Sequence, residues 1–292
     1  RRSQKSSVRT RQLPGVSPLV FSRFLLEKTA FLSLSDMGKA LPSYEEIPIA
    51  CRMDEAVQSE YKRIENALVR VLRSDRRAAQ KILSAYLNLL TVYPDQPYDQ
   101  KPILYPDSDV PIVEPENIGD ADTLGEKELR TLEIVRAAIQ NGERALIYTS
   151  WVRTDSQQKL KRFLTDEGYR TEILTDKIKT TDREDWVQKK LAAGMQVLIV
   201  NPSLVETGLD LNAFTTLVFY SMGYKLFTLR QASRRSWRIN QKAPAVKVYM
   251  LYYEDTMQQK CLKLMASKLA VAGLIEGNFS EEGLAAMSDV QD

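Results

Sequence analysis

The sequence predicts an α/β fold: a parallel sheet with helices on both faces, preceded by a mainly helical N-terminal segment. Three observations predict it. Short, strongly apolar runs such as "QVLIVNP" and "TTLVFYS" alternate with stretches of helical periodicity. That alternation is the pattern of buried parallel strands joined by crossover helices. Glycines close two of the helical stretches, at Gly168 and Gly194. Six of the twelve prolines crowd between Pro94 and Pro115, which divides the alternating part from the helical part before it.

In chain order, residues 1–93 form the mainly helical segment. Its first dozen residues, "RRSQKSSVRTRQ", are basic and polar and carry no assigned function. "MDEAVQSEYKRIENALVRVLRSDRRAAQKILSAYLNLLTVY" has apolar residues at helical spacing, with Asp54 placed as an N-cap. Residues 94–125 form a proline-rich linker draped over a surface. In residues 126–275, strand "RALIYTS" precedes a helix over "DSQQKLKRFLTDEGY", and strand "RTEIL" precedes a helix over "DREDWVQKKLAAG". Strands "QVLIVNP" and "TTLVFYS" follow, then a helix from about Phe227, strand "VKVYMLYY" and a long helix through Ala270. Residues 276–292 are a tail.

Composition excludes several classes of protein. The chain of 292 residues is 43% hydrophobic and 27% charged, as globular proteins are. No run approaches the roughly eighteen apolar residues of a membrane span, and no signal-peptide core opens the chain, so no membrane partner is expected. Cys51 and Cys261 are the only cysteines, which argues against a disulfide framework and for a reducing cytoplasm, or the nucleus in a eukaryote. Histidine is absent, which removes Ser-His-Asp, Cys-His and histidine-metal chemistry; no metal ligands are assigned. The net charge of +3 is too small to imply nucleic acid, so any basic footprint is local.

Two loops after strands carry unusual residues. In "NPSLVETGLDL" (Asn201–Leu211), Thr207-Gly208 admits close backbone approach to a ligand, and Asp210 can meet a hydroxyl or a metal-bound water. A tight turn capped by Asp210 is the competing reading. In "YKLFTLRQASRRSWRIN", helical spacing gathers Gln231, Arg234, Arg235 and Arg238. Between Tyr224 and Val248 there is no acid against seven Lys or Arg, where a solvated helix would intersperse acids. That imbalance favours arginines aimed at an external anion, phosphate above all.

"TGLDL", "LVFY" and "RQASRRSWRINQ", in this order, resemble motifs V and VI of superfamily 2 helicases, the SNF2-like branch above all. Gln231, Ala232, Arg235, Arg238, Ile239 and Gln241 match motif VI in register. "RALIYTSWVRTDSQQKLKRFLTDEGY" resembles motif IV and its helix, and "FSRFLLEKTAFLSLSDMGKALPSYEEIPIACRMDEAVQSEYKRI" resembles the segment between the two motor lobes. The resemblance implies a RecA-like helicase C-terminal domain over 126–275, after an inter-lobe segment. It implies that Arg235 and Arg238 are arginine fingers toward the γ-phosphate of ATP, with Gln231 positioning the nucleotide or the attacking water. It implies that Asp210, Thr207 and Gly208 link the nucleotide cleft to DNA, and that Thr149, Ser150, Trp151 and Asn201 lie on the DNA track.

Two departures stand out: Arg234 replaces the family glycine, and Ser236-Trp237 replaces the usual Ala-His. No G-x-x-x-x-G-K-[ST] occurs, since Gly38-Lys39 is followed by Ala40 and preceded by Ser33 at the first glycine position. ATP and Mg²⁺ are therefore expected mainly on a first RecA-like lobe, in cis or on a separate chain, with double-stranded DNA as partner. The alternative is a non-catalytic DNA- or protein-binding module with a degenerate motif VI. A dinucleotide-binding enzyme is disfavoured, because no G-x-G-x-x-G follows a strand.

Overall fold

The computed structural model describes residues 42–150, 155–205, 209–221, 236, 241 and 243–276, with backbone alone for 268–276. Its centre is a six-stranded sheet: β1 (Ser43–Cys51), β4 (Ala145–Tyr148), β5 (Thr171–Leu174), β6 (Val197–Val200), β7 (Thr216–Phe219) and β8 (Ala245–Tyr253). The order is β1-β8-β7-β4-β6-β5, and every neighbouring pair is parallel. Period-two alternation sends successive residues to opposite faces. Leu146, Tyr148, Leu198, Val200, Leu217 and Phe219 enter one apolar cluster, while Ala145, Ile147, Val197, Ile199, Val218 and Tyr220 enter another. Helices α5 (Arg183–Ala192) and α6 (Met257–Glu276) cover the first face. The second is covered by α3 (Glu126–Gln140) and α4 (Ser156–Asp166).

The sheet also takes in a strand that the mainly helical segment was not expected to contribute. β1 pairs with β8 along its whole length, from Ser43 opposite Ala245 to Cys51 opposite Tyr253. It is an edge strand, where Pro48 and two glutamates are tolerated.

Beyond β1, α1 (Glu55–Ser74) and α2 (Arg76–Val92) form a helical hairpin with a core of its own, from Val57 to Val71 against Ala78 to Tyr93. Asp54 occupies the N-cap position of α1 but makes no cap hydrogen bond with its side chain. Asp75 does cap α2: its carboxylate accepts from the N–H groups of Arg77 and Ala78.

The proline-rich stretch lies along this hairpin and contains a small antiparallel pair, β2 (Ile103–Leu104) and β3 (Pro111–Val113). One clamp fastens it. Arg63 grips the Glu60 carboxylate with two hydrogen bonds of 2.6 and 2.7 Å and reaches the Glu114 carbonyl, while Glu60 accepts from the Glu116 N–H at 2.9 Å. Burial raises the Glu60 pKa, but the Arg63 guanidinium and the Glu116 N–H outweigh it and hold the carboxyl below its ordinary value.

A second anchor lies at the first turns of α3 and α4, beside the carboxyl ends of β7 and β8. Lys127, fully buried, donates to Asp95 at 2.7 Å and to Gln258 at 2.9 Å, with the rings of Tyr220 and Tyr253 centred 4.9 and 5.3 Å away. Beside it Glu128 pairs with Lys159 at 2.7 Å and accepts from Tyr220 Oη at 2.9 Å. Burial pushes the Asp95 carboxyl above its ordinary value against the pull of Lys127. The backbone closes tightly here: a Cβ on Gly125 would lie 2.7 Å from Tyr253 Oη.

Both cysteines are buried and neither is in a disulfide, and burial pushes the Cys51 thiol up to about 12, so it stays an inert thiol. Among the described residues no helix is long and apolar enough to cross a membrane.

Candidate functional site

In an open parallel sheet, ligands meet the loops that leave the carboxyl ends of the strands. Three neighbouring strands, β6, β4 and β7, end here in small polar residues: Asn201, Thr149-Ser150 and Ser221. They are bonded to one another. The Ser150 N–H donates to Ser221 Oγ at 2.8 Å, and Ser150 Oγ donates to the Ser221 carbonyl at 3.0 Å. Asn201 Nδ2 donates to the Ser150 carbonyl at 3.1 Å, while its Oδ1 accepts from the N–H and Oγ of Ser203. Thr149 is buried, and its Oγ1 accepts from Gln157 Nε2 at 2.8 Å, which ties the strand end to α4.

The chemistry of this edge follows from its members. None of Thr149, Ser150, Gln157, Asn201, Ser203 and Ser221 is titratable, so the network suits hydrogen bonding to a bound polar group and not proton transfer. Thr149 and Asn201 hold the loops, and Ser150, half-buried, is bonded to Ser221 through both its N–H and its hydroxyl.

The loop after β6 continues into a turn at residues 210–213. The Asp210 N–H donates to Glu184 on α5 at 2.8 Å, and the Asp210 carboxylate accepts from the N–H and Nδ2 of Asn212 at 3.0 and 3.3 Å. Asp210 therefore closes a turn with its own side chain, as the competing reading of this loop expects.

Onto that turn dock the two described residues of the arginine-rich stretch. Ser236, wholly buried, donates from Oγ to the Leu211 carbonyl at 3.1 Å. Gln241 Nε2 donates at 2.9 Å to the carbonyls of both Asn212 and Ser236, and its Oε1 accepts from the Ala243 N–H at 3.1 Å. Ser236 stands between Arg235 and Arg238 in sequence.

Thr149, Ser150 and Asn201 are thus brought together, and Asp210 lies on the adjoining turn. Trp151, Thr207, Gly208, Gln231, Arg234, Arg235 and Arg238 lie outside the described residues. Sequence reasoning missed Ser221, Gln157 and Glu184. Ser221 had a readable signal, a polar residue directly after an apolar strand; the other two sit on helix faces where nothing local marks them.

The fold and this edge define a class: a RecA-like lobe with its ligand loops at the carboxyl ends of parallel strands. Residues 127–240 match the family model described as the helicase conserved C-terminal domain. No curated protein matches the chain. Among solved structures, the C-terminal part of the Fun30 ATPase domain is similar, with a TM-score of 0.62 at 14% identity over 81% of this chain and 96% of that one. The C-terminal domain of the Sulfolobus solfataricus SWI2/SNF2 ATPase gives 0.56 at 17% identity, over 86% and 100%. The Sulfolobus solfataricus SWI2/SNF2 ATPase core in complex with dsDNA gives 0.57 at 19%, over 86% of this chain and 51% of that one, so this chain spans about half of that core. Over residues 127–240 the chain is thus similar to the helicase conserved C-terminal domain, and it has the fold of the C-terminal lobes of SNF2-type ATPases.

Proposed function

We propose that this chain is the C-terminal motor lobe of an ATP-dependent, SNF2-like DNA translocase. One observation carries the reading: the loops after β4 and β6 meet at one sheet edge, and the arginine-rich stretch is latched through Ser236 and Gln241 to the turn that continues the second loop. Binding at the edge and charge on the arginines are thereby coupled through the 210–213 turn. Ser150 lies on the track of a DNA backbone, its hydroxyl turning from the Ser221 carbonyl to a phosphate on binding, with Thr149 and Asn201 holding the loops; Trp151 extends this track, and Thr207, Gly208 and Asp210 link it to the nucleotide cleft. Arg235 and Arg238 supply guanidinium forks that stabilise charge developing on the γ-phosphate of the substrate ATP, and Gln231 orients the nucleotide or the attacking water.

Among the described residues no group of three or more carboxylate or thiol side chains gathers to hold a metal ion, and Mg²⁺ is assigned to a first lobe. The sequence also lacks a phosphate-cradling G-x-x-x-x-G-K-[ST] loop. Both belong to a first RecA-like lobe, so this chain alone is expected to turn over no ATP.

The test is ATP hydrolysis by the motor completed with its first lobe, with and without duplex DNA, for wild type and Arg238→Ala. Duplex stimulation lost by about 10³–10⁵-fold in the variant supports the reading. DNA-independent turnover, or a variant as active as wild type, transfers support to a non-catalytic binding module in which Arg234 has displaced the family glycine.

A further inference from the structure

We infer that the corner between α1 and α2 is a second docking surface for the phosphate backbone of duplex DNA, an inference that rests on the DNA-translocase reading above. Arg70 and Arg73 lie near the end of α1, and Arg76 and Arg77 open α2, so four arginines flank the single corner residue Asp75. All four are exposed, and none forms an ion pair with a described residue. The acids nearby are committed elsewhere. Asp75 Oδ1 takes the two N–H groups at the start of α2, Asp107 pairs with Lys81, and Glu65 pairs with Lys260. Several other exposed arginines are paired: Arg52 with Glu254, Arg130 with Glu126 and Glu133, and Arg162 with Asp155.

The placement of Arg76 and Arg77 costs stability. The first turn of α2 contains no acid, and two cations sit on the positive end of the helix dipole, where acids are the stabilising choice. An external anion offsets that cost. Arginine forks fit the paired oxygens of a phosphodiester better than a compact ammonium would.

The corner is also held by packing. Val71, Ala78 and Ala79 are buried directly beneath it, inside the hairpin's own core. The arm leaves the sheet after Cys51, the carboxyl end of β1, which is the edge that carries Ser150, Asn201 and Ser221. The 20 residues of α1 make it about 30 Å long, the reach of roughly nine phosphates along one strand. The tip thus lies within about 30 Å of the start of α1, a span that one duplex can cover.

The experiment is fluorescence anisotropy of a mixed-sequence duplex of about 30 base pairs, titrated with this chain across a series of salt concentrations. Wild type is compared with R70Q/R73Q/R76Q/R77Q and with the matching all-Lys variant, each checked for unchanged helicity by circular dichroism. The Gln variant is expected to flatten the log–log salt dependence by about 3–4, at roughly 0.9 per phosphate contact, and the Lys variant to restore most of it. A slope that the Gln variant leaves unchanged overturns this inference alone. A wild type that binds no duplex at low salt overturns it together with the DNA reading. Corner-dependent binding without duplex-stimulated ATP hydrolysis would sink the motor and leave the docking surface standing.

Discussion

Two polar networks lie in this lobe, and they are built from opposite materials. At the base formed by the first turns of α3 and α4, Lys127, Asp95, Glu128 and Lys159 are charged, buried and paired, and they join the linker, α3, α4 and the start of α6. At the strand ends, Thr149, Ser150, Asn201, Ser221, Ser236 and Gln241 are neutral and bond mostly to backbone. A buried charge is intolerant: removing one partner strands the other in a medium of low polarity. A hydroxyl or carboxamide network loses about one hydrogen bond per substitution. The difference teaches that the base holds the lobe together, whereas the edge sets the geometry of loops that must present themselves to a ligand.

The largest expected effect comes from breaking the base. Lys127→Ala should destabilise the chain by about 3–5 kcal/mol in urea unfolding, because it leaves Asp95 buried without its cation. Replacing the pair together, Lys127→Met with Asp95→Leu, should recover most of that loss. If the single and double variants are equally unstable, packing and not charge governs this site.

A smaller effect belongs to the Glu60–Arg63 clamp. The Glu60 carboxyl is held below its ordinary value of 4.5, so the clamp contributes stability above that value and loses it as pH falls through the depressed one. Glu60→Gln should cost about 1–3 kcal/mol at neutral pH and shrink the acid-induced loss seen in wild type. Parallel stability-against-pH curves for the two proteins would remove the clamp from the account.

The alternating part of the molecule was legible because its strands are buried on both faces and read as apolar runs, so β4 through β8 and α4, α5 and α6 follow the sequence closely. β1 was not. "SYEEIPIAC" carries two glutamates and a proline, and its partner β8 lies about two hundred residues away, a pairing no local pattern encodes. α3 was obscured for the opposite reason: Lys127, Glu128 and Thr131 are buried on its inner face, so its inward stripe looks polar. At the site, motif spacing marked Thr149, Ser150, Asn201 and Asp210, but not that Thr149 and Asn201 turn inward. Nor could it show that Asp210 closes its own turn with Asn212, since a carboxylate has the same letter in either role.

The most direct test of the division between base and edge is a paired measurement on Gln241→Ala and Lys127→Ala in the motor completed with its first lobe. Duplex-stimulated kcat and KM for ATP are read beside Tm. Gln241→Ala is predicted to lower kcat at least about tenfold, equivalent to roughly 1.4 kcal/mol, with KM and Tm little changed, because the latch to the 210–213 turn positions the arginines without holding the lobe. Lys127→Ala is predicted to lower Tm sharply while the folded fraction keeps its kcat. A Gln241→Ala variant with wild-type kcat, or one that loses Tm as severely as Lys127→Ala, would contradict the account.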